Sequence, residues 1–198
     1  MLVRHLGLKP FAATMALQAA LVGRRAAGDI PDTLLLAQHP PVYTRGTACR
    51  LRPVRGLPFA LRAVDREGGL FYHGPGQLAG YPVFDLAARR LTPAKYRESL
   101  AAVLIEALDR LGVAACRRGG RTGLWASGRR LASIGVTVRD GISCHGFALN
   151  INCDLSPFAP ITPRGDPGWT SVQGLLGKPQ DETLAARAVA EAFLRYFC

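Results

Sequence analysis

Lysine is scarce in this chain. Of 25 basic residues only Lys9, Lys95 and Lys178 are lysine; the others are arginine, and together they set a net charge of +11 against 14 acidic residues. The arginines are spread along the whole sequence and lack the interleaved aromatics of an RNA-binding signature, so charge alone does not make a nucleic-acid interface. A basic surface facing an acidic protein partner is the preferred reading, and nucleic acid is set behind it. Cysteine pattern is lacking too. Five cysteines (Cys49, Cys116, Cys144, Cys153 and Cys198) form no Cys-x-x-Cys pair and are odd in number, which argues against a disulfide framework and a structural zinc site. No apolar run reaches transmembrane length, because Arg, Pro or Gly breaks each candidate within about ten residues. Lys9 and Pro10 interrupt the N-terminal apolar stretch, which then reads as an amphipathic helix rather than a signal peptide. These absences predict a cytoplasmic protein with reduced thiols, no membrane association, no metal and no cofactor.

Hydrophobic residues make up 48% and charged ones 20%, an ordinary globular balance. A chain of 198 residues can bury a substantial core, so residues 1–198 are expected to form one domain. After the N-terminal helix, Thr33 to Ala37 reads as a buried strand, followed by a Pro-Pro turn and a second short strand. Further strands are expected in "FALRAVDREGG" and from Gly76 to Leu86. The clearest helix begins with Thr92 as N-cap and Pro93 at the first helical position, and Gly112 stops it. Its apolar face is Leu100, Val103, Leu104, Ala107, Leu108 and Leu111. A run of strands follows, with hairpin-turn chemistry in "SGRR" and "RDGIS". A last helix carries Leu184, Val189, Phe193 and Leu194 as its apolar residues. Helices and antiparallel hairpins in this order predict an α+β fold, with helices packed on mixed β-sheets.

Three segments combine close glycines with polar side chains. "REGGLFYHGPGQLAGYP" runs from Arg66 to Pro82. Its Gly68, Gly69, Gly74 and Gly76 allow close backbone approach, and His73 is a candidate acid, base or hydrogen-bond donor. "RRLASIGVTV" opens on Arg130 and presents a small-residue patch, Ser133-Ile134-Gly135. "SCHGFALNIN" places His145 and Gly146 at a strand start, with Asn150 and Asn152 on one face. Each segment alone is also compatible with ordinary turns and strands. Cys144, beside His145, reads as a nucleophile or as a small buried hydrophobe.

Taken together, "LLLAQHPPVYTRG", "YHGPGQLAGYPVFDL", "TGLW", "ASIGVTV", "HGFALNINCDLSPF" and "ITPRG…TSV" resemble the lipoyl(octanoyl) transferase family over nearly the whole chain. The resemblance implies the α+β fold shared by lipoate- and biotin-protein ligases. It also implies transfer of an octanoyl group from acyl carrier protein to a lysine of a lipoyl domain, through a thioester on a cysteine activated by a nearby lysine. The substrate-binding positions it implies are Arg66, Gly68, Gly69, Tyr72, His73, Gly76, Ser133, Ile134, Gly135, Gly146, Phe147 and Ala148.

Two departures matter most. The family's Pro-Cys-Gly step reads Pro163-Arg164-Gly165, and its lysine position is Arg130. A guanidinium stays protonated above about pH 12, so neither arginine can attack a thioester or act as a base. The glycine-rich loop departs as well, with Glu67 in place of a glycine and Phe71 in place of a threonine, which predicts a reshaped acyl pocket. The expected site is therefore His73, His145, Arg130 and Arg164. The histidines and backbone amides would orient a thioester, and the two arginines, facing one another in the pocket, would bind an anionic group or stabilise an oxyanion. Relocation of the nucleophile to Cys144 or Cys153 is a variant of this reading. A non-catalytic relative that binds an acyl carrier protein, a lipoyl domain or a small carboxylate or phosphate is the alternative.

Overall fold

The computed structural model describes residues 1–49, 56–119 and 122–198. Its large sheet has six strands in the order β1 (Leu2–Leu8), β2 (Thr33–Gln38), β6 (Gln77–Val83), β9 (Ile142–Asn150), β8 (Arg129–Arg139) and β7 (Leu124–Ala126). β1 and β2 are parallel and the other neighbours antiparallel, so the sheet is mixed. A small sheet holds β4 (Leu61–Ala63), β3 (Val42–Arg45) and β5 (Leu70–His73) in that order. The α+β expectation holds.

Alternation along β2 shows how the layers form. Leu34 and Leu36 face a core beneath α2 (Pro93–Arg110) and α4 (Glu182–Phe197), while Leu35 and Ala37 face α1 (Phe11–Ala26). A strand covered on both faces must be apolar throughout, which is why "LLLA" reads as a continuous run. Thr92 caps α2 by accepting a hydrogen bond from the Lys95 N–H at 3.2 Å. The β7–β8 turn at Ser127-Gly128 and the β8–β9 turn at Asp140-Gly141 both have two residues with positive φ, as a tight primed hairpin requires.

Three differences from the sequence reading stand out. The segment Leu2–Leu8, which gave no strand signal, forms β1; it lies at a sheet edge and is mostly exposed, so it shows little apolar alternation. α4 buries an alanine-rich face, with Ala185, Val189, Ala192 and Phe193 inside, and leaves Leu184 and Leu194 exposed. Strand β9 ends at Asn150, so Asn152 is not on its face but bonds Gln180 and Glu182 near the start of α4. Among the described residues no helix is long and apolar enough to cross a membrane.

Candidate active site

A small cavity lies where β5, β6, β8 and β9 meet the first turn of α1. Its lining is Phe11, Arg66, Phe71, His73, Tyr81, Ser133, Gly135 and the run His145 to Ala148. Eight of these were expected from sequence: Arg66, His73, Ser133, Gly135, His145, Gly146, Phe147 and Ala148. The three segments therefore converge. The free space is only about 20 Å³, enough for a water molecule or two and far less than an acyl chain.

Arg66 is 4% exposed yet has no carboxylate partner among the described residues. Its Nη2 donates to Thr44 O, Thr44 Oγ1 and Gly69 O, and its Nη1 to Glu67 O. The guanidinium lies 3.7 Å from the centre of the Phe71 ring. Nε is buried without a partner. Burial lowers the Arg66 pKa to about 10, the mark of an ion whose charge is only partly met.

The three buried histidines have different fates. His39 Nδ1 donates to Lys9 O at 2.7 Å, so its Nε2 must accept from Tyr81 Oη at 2.6 Å. Both of its nitrogens are engaged. His73 Nδ1 donates to Gln77 Oε1 at 2.9 Å, and Gln77 Nε2 donates to Asn150 Oδ1 and to Tyr72 O. That chain fixes one tautomer and leaves His73 Nε2 with its lone pair. Burial, with His39 and Arg66 nearby, pushes the His73 pKa down to about 3, so the ring is neutral. His145 Nε2 donates to Asp65 Oδ1 at 2.8 Å. Burial lowers its pKa, and the Asp65 carboxylate partly offsets this.

The remaining expected residues fall outside the lining. Ile134 alternates with Ser133 and Gly135 along β8 and points into the core under α2. Tyr72 packs on the opposite side from His73, against Tyr43 and Phe158. Gly68 and Gly69 hold the loop that carries Arg66, their carbonyls accepting from Ala48 and Gly46. Gly76 is required by the chain's own packing rather than by a ligand: its φ is +77°, and a Cβ there would lie 2.7 Å from Cys153 N. Arg130 is half-buried, with its guanidinium 5.0 and 5.1 Å from the ring centres of Trp125 and Trp169. Its backbone N–H donates to Gly168 O and its carbonyl accepts from Thr170 N–H, which ties the loop after residue 161 to β8.

Arg164 does not point into the cavity beside Arg130, as the sequence reading had it. It is exposed, on a Pro163–Gly165 turn, where a hydrated cation needs no buried counter-charge. Cys144 and Cys153 are buried, and burial raises both thiol pKa values, that of Cys153 to about 12. Neither environment favours a thiolate. Sequence reasoning missed Asp65, Tyr81, His39 and Phe11. The adjacency of Asp65 to Arg66 in "VDREGG" was visible but read as a charged turn. Among the described residues no cluster of three His, Cys, Asp or Glu side chains is placed to hold a metal ion.

The Lipoyl protein ligase A/B catalytic domain family model matches residues 10–197. The chain is 43% identical to an octanoyltransferase of Geobacter metallireducens over 195 residues, covering 98% of this chain and 92% of that protein. It is 42% identical to an octanoyltransferase of Mycobacterium leprae over 203 residues, covering 96% and 85%. In fold it is similar to a lipoate-protein ligase A bound with ATP, with a TM-score of 0.75 at 17% identity, covering 99% of this chain and 85% of that one. It is also similar to the biotin protein ligase of Aquifex aeolicus, with a TM-score of 0.57 at 10% identity, covering 99% and 68%.

Proposed function

The chain belongs to the lipoyl protein ligase A/B catalytic domain family, on its octanoyltransferase branch, and from that premise we propose that residues 1–198 form one acyltransferase domain that works without an enzyme thioester at position 164. One observation carries the reading. The cavity keeps His73, His145 and Arg66 together, while arginines occupy both positions that a thioester mechanism would need. The lipoate ligases of this fold, by the resemblance, pass an acyl group to lysine without acylating themselves. Direct transfer from a carrier-protein thioester to the lysine of a lipoyl domain is the corresponding route here.

In that route the Arg66 Nε–H orients the thioester carbonyl and stabilises the oxyanion that forms on it, while the histidines, whose ring protons are held by Gln77 and Asp65, present lone pairs rather than donors. Arg130 and the exposed Arg164 take an anionic group outside the cavity, on the donor or its acidic carrier protein. Intact-protein mass spectrometry tests the reading, with octanoyl-acyl carrier protein and a lipoyl domain in one mixture. The lipoyl domain should gain an octanoyl group and the enzyme none. An octanoyl adduct on the enzyme, or an unmodified lipoyl domain, would sink it.

The small volume of the cavity favours one second reading, a non-catalytic relative. Phe71 stands where the resemblance expects threonine, and it lines a space too small for an octanoyl chain. On that reading the protein binds a carrier protein or lipoyl domain, detectable by calorimetry, without turnover.

A further inference from the structure

If acyl transfer is direct, something must take a proton from the attacking amine, and Arg130 at the lysine position cannot. We propose that His145 and Asp65 form a proton-relay dyad for the acceptor amine, with His145 Nδ1 as the base and Asp65 as the residue that sets the ring's tautomer and orientation. This rests on the acyltransferase reading above and extends it to a residue outside the cavity lining.

The geometry singles out this histidine. The bond from Nε2 to Asp65 Oδ1 puts the ring proton on Nε2 and leaves Nδ1 as the lone-pair nitrogen. Among the described residues Nδ1 has no hydrogen-bond partner. His39 has both nitrogens occupied. His73 offers a lone pair, but it is backed only by the Gln77 amide and would become an uncompensated cation near Arg66. Among the described residues, His145 is the buried histidine with a carboxylate behind it. His145 also holds φ at +58°, the left-handed region that is strained for a non-glycine residue and persists where surrounding structure imposes it.

Position adds a second argument. His145 lines the small cavity on one side and, on the other, a groove of about 320 Å³ between α1 and the β4–β5 connection. Asp65 and Arg139 line that groove too. The dyad thus stands between the buried carbonyl site and solvent, where a proton must cross. The groups facing His145 are Asp65 and Arg66 from the β4–β5 connection, Arg139 from β8, His73 from β5 and Tyr81 from β6. α1 presents Gln18 and apolar side chains to the groove.

The step balances without a co-reactant. The lysine reaches the carbonyl as a neutral amine. Its nitrogen forms the C–N bond while His145 Nδ1 takes the N–H proton, and the Asp65 carboxylate stabilises the imidazolium. As the tetrahedral intermediate collapses, the C–S bond breaks and the same proton passes from Nδ1 to the departing thiolate. The products are an amide and a thiol.

The test is kcat and KM against pH for octanoyl transfer to a lipoyl domain, in the unaltered protein, Asp65→Asn and Arg139→Gln. Asp65→Asn should lower kcat on the order of 100-fold with KM nearly unchanged. Because the carboxylate raises the His145 pKa, the acid limb of its profile should move to lower pH. Arg139→Gln removes a cation that lowers that pKa, so its limb should move the other way while kcat largely survives. An unchanged kcat in Asp65→Asn overturns the relay. Equal losses in both variants with matching drops in melting temperature do the same, since they mark a purely structural role for Asp65. Should Asp65→Asn fail to fold, an acid limb that Arg139→Gln leaves unmoved overturns it instead. Absence of transfer by the unaltered protein removes the acyltransferase reading itself, and the relay with it.

Discussion

Arg66→Met separates a functional arginine from a structural one. The substitution keeps most of the side chain's length and apolar contact with Phe71 and removes the charge. Four hydrogen bonds from a charged donor are lost, each worth about 1.5 kcal/mol net, so the direct loss is about 6 kcal/mol. Against this stands the cost of burying the cation. Burial brings its pKa from the ordinary arginine range down to about 10, which disfavours the charged native state by about 3 kcal/mol. A depressed pKa means that the native state gives up the proton first. The penalty is therefore fully present below about pH 10 and relieved only as pH rises toward the ordinary arginine range. Near neutral pH the second contribution offsets about half of the first, and the methionine variant should lose about 3 kcal/mol.

Urea unfolding at neutral pH measures that difference, and octanoyl transfer measures the other half. Nε is the one guanidinium nitrogen without a partner, so it is the donor left for a substrate carbonyl or its oxyanion. Removing such a donor should lower the transfer rate on the order of 100-fold. A variant that unfolds, or loses more than about 6 kcal/mol, would refute the reasoning by showing that Arg66 chiefly holds its loop together. A stable variant with full activity would refute it from the other side.

Three further outcomes are expected. Arg164→Cys with Arg130→Lys should acquire a hydroxylamine-labile octanoyl adduct by mass spectrometry, because residue 164 is exposed on a loop tied to β8; no adduct would mean that this loop does not bring position 164 to the acyl carbonyl. Phe71→Thr should open the cavity and lower KM for octanoyl-acyl carrier protein, at a stability cost of about 3 kcal/mol from the lost ring; an unchanged KM would clear Phe71 of restricting the acyl site. With iodoacetamide near pH 8, exposed Cys116 and Cys198 should react while Cys144 and Cys153 stay unmodified, as peptide mapping can show, because burial raises both of the latter thiols.

The parts of this fold that were legible in the sequence are those decided within a few residues. Thr92 followed by Pro93 is a cap and a helical first position decided locally, and Ser127-Gly128 and Asp140-Gly141 make hairpins because their backbones accept positive φ. β2 was legible because burial on both faces leaves no polar alternation to confuse it. β1 was not, since an edge strand has one neighbour and little to bury. The four-residue β5 was hidden inside a segment read for its glycines, and the small sheet it joins depends on a parallel pairing of β3 with β4 that no local signal announces.

The site shows the same division more sharply. Its glycines and histidines could be found by type, but their roles depend on partners far along the chain. Gln77 fixes the His73 tautomer from four residues away, whereas Asp65 reaches His145 across 80 residues. Asp65 looked like a turn residue because its backbone belongs to a turn. Its carboxylate acquires a role only once the Gly-rich loop folds against β8 and β9, where Thr137 Oγ1 donates to Asp65 O and holds the residue in place. Arg164 misled for the opposite reason. A resemblance transfers a position, and the position carries a backbone, but the direction of a side chain follows its own chemistry. A cysteine there can turn toward an apolar cavity at little cost, while a guanidinium would have to shed its water. The arginine therefore lies in solvent, and any anion it holds must be met at the surface.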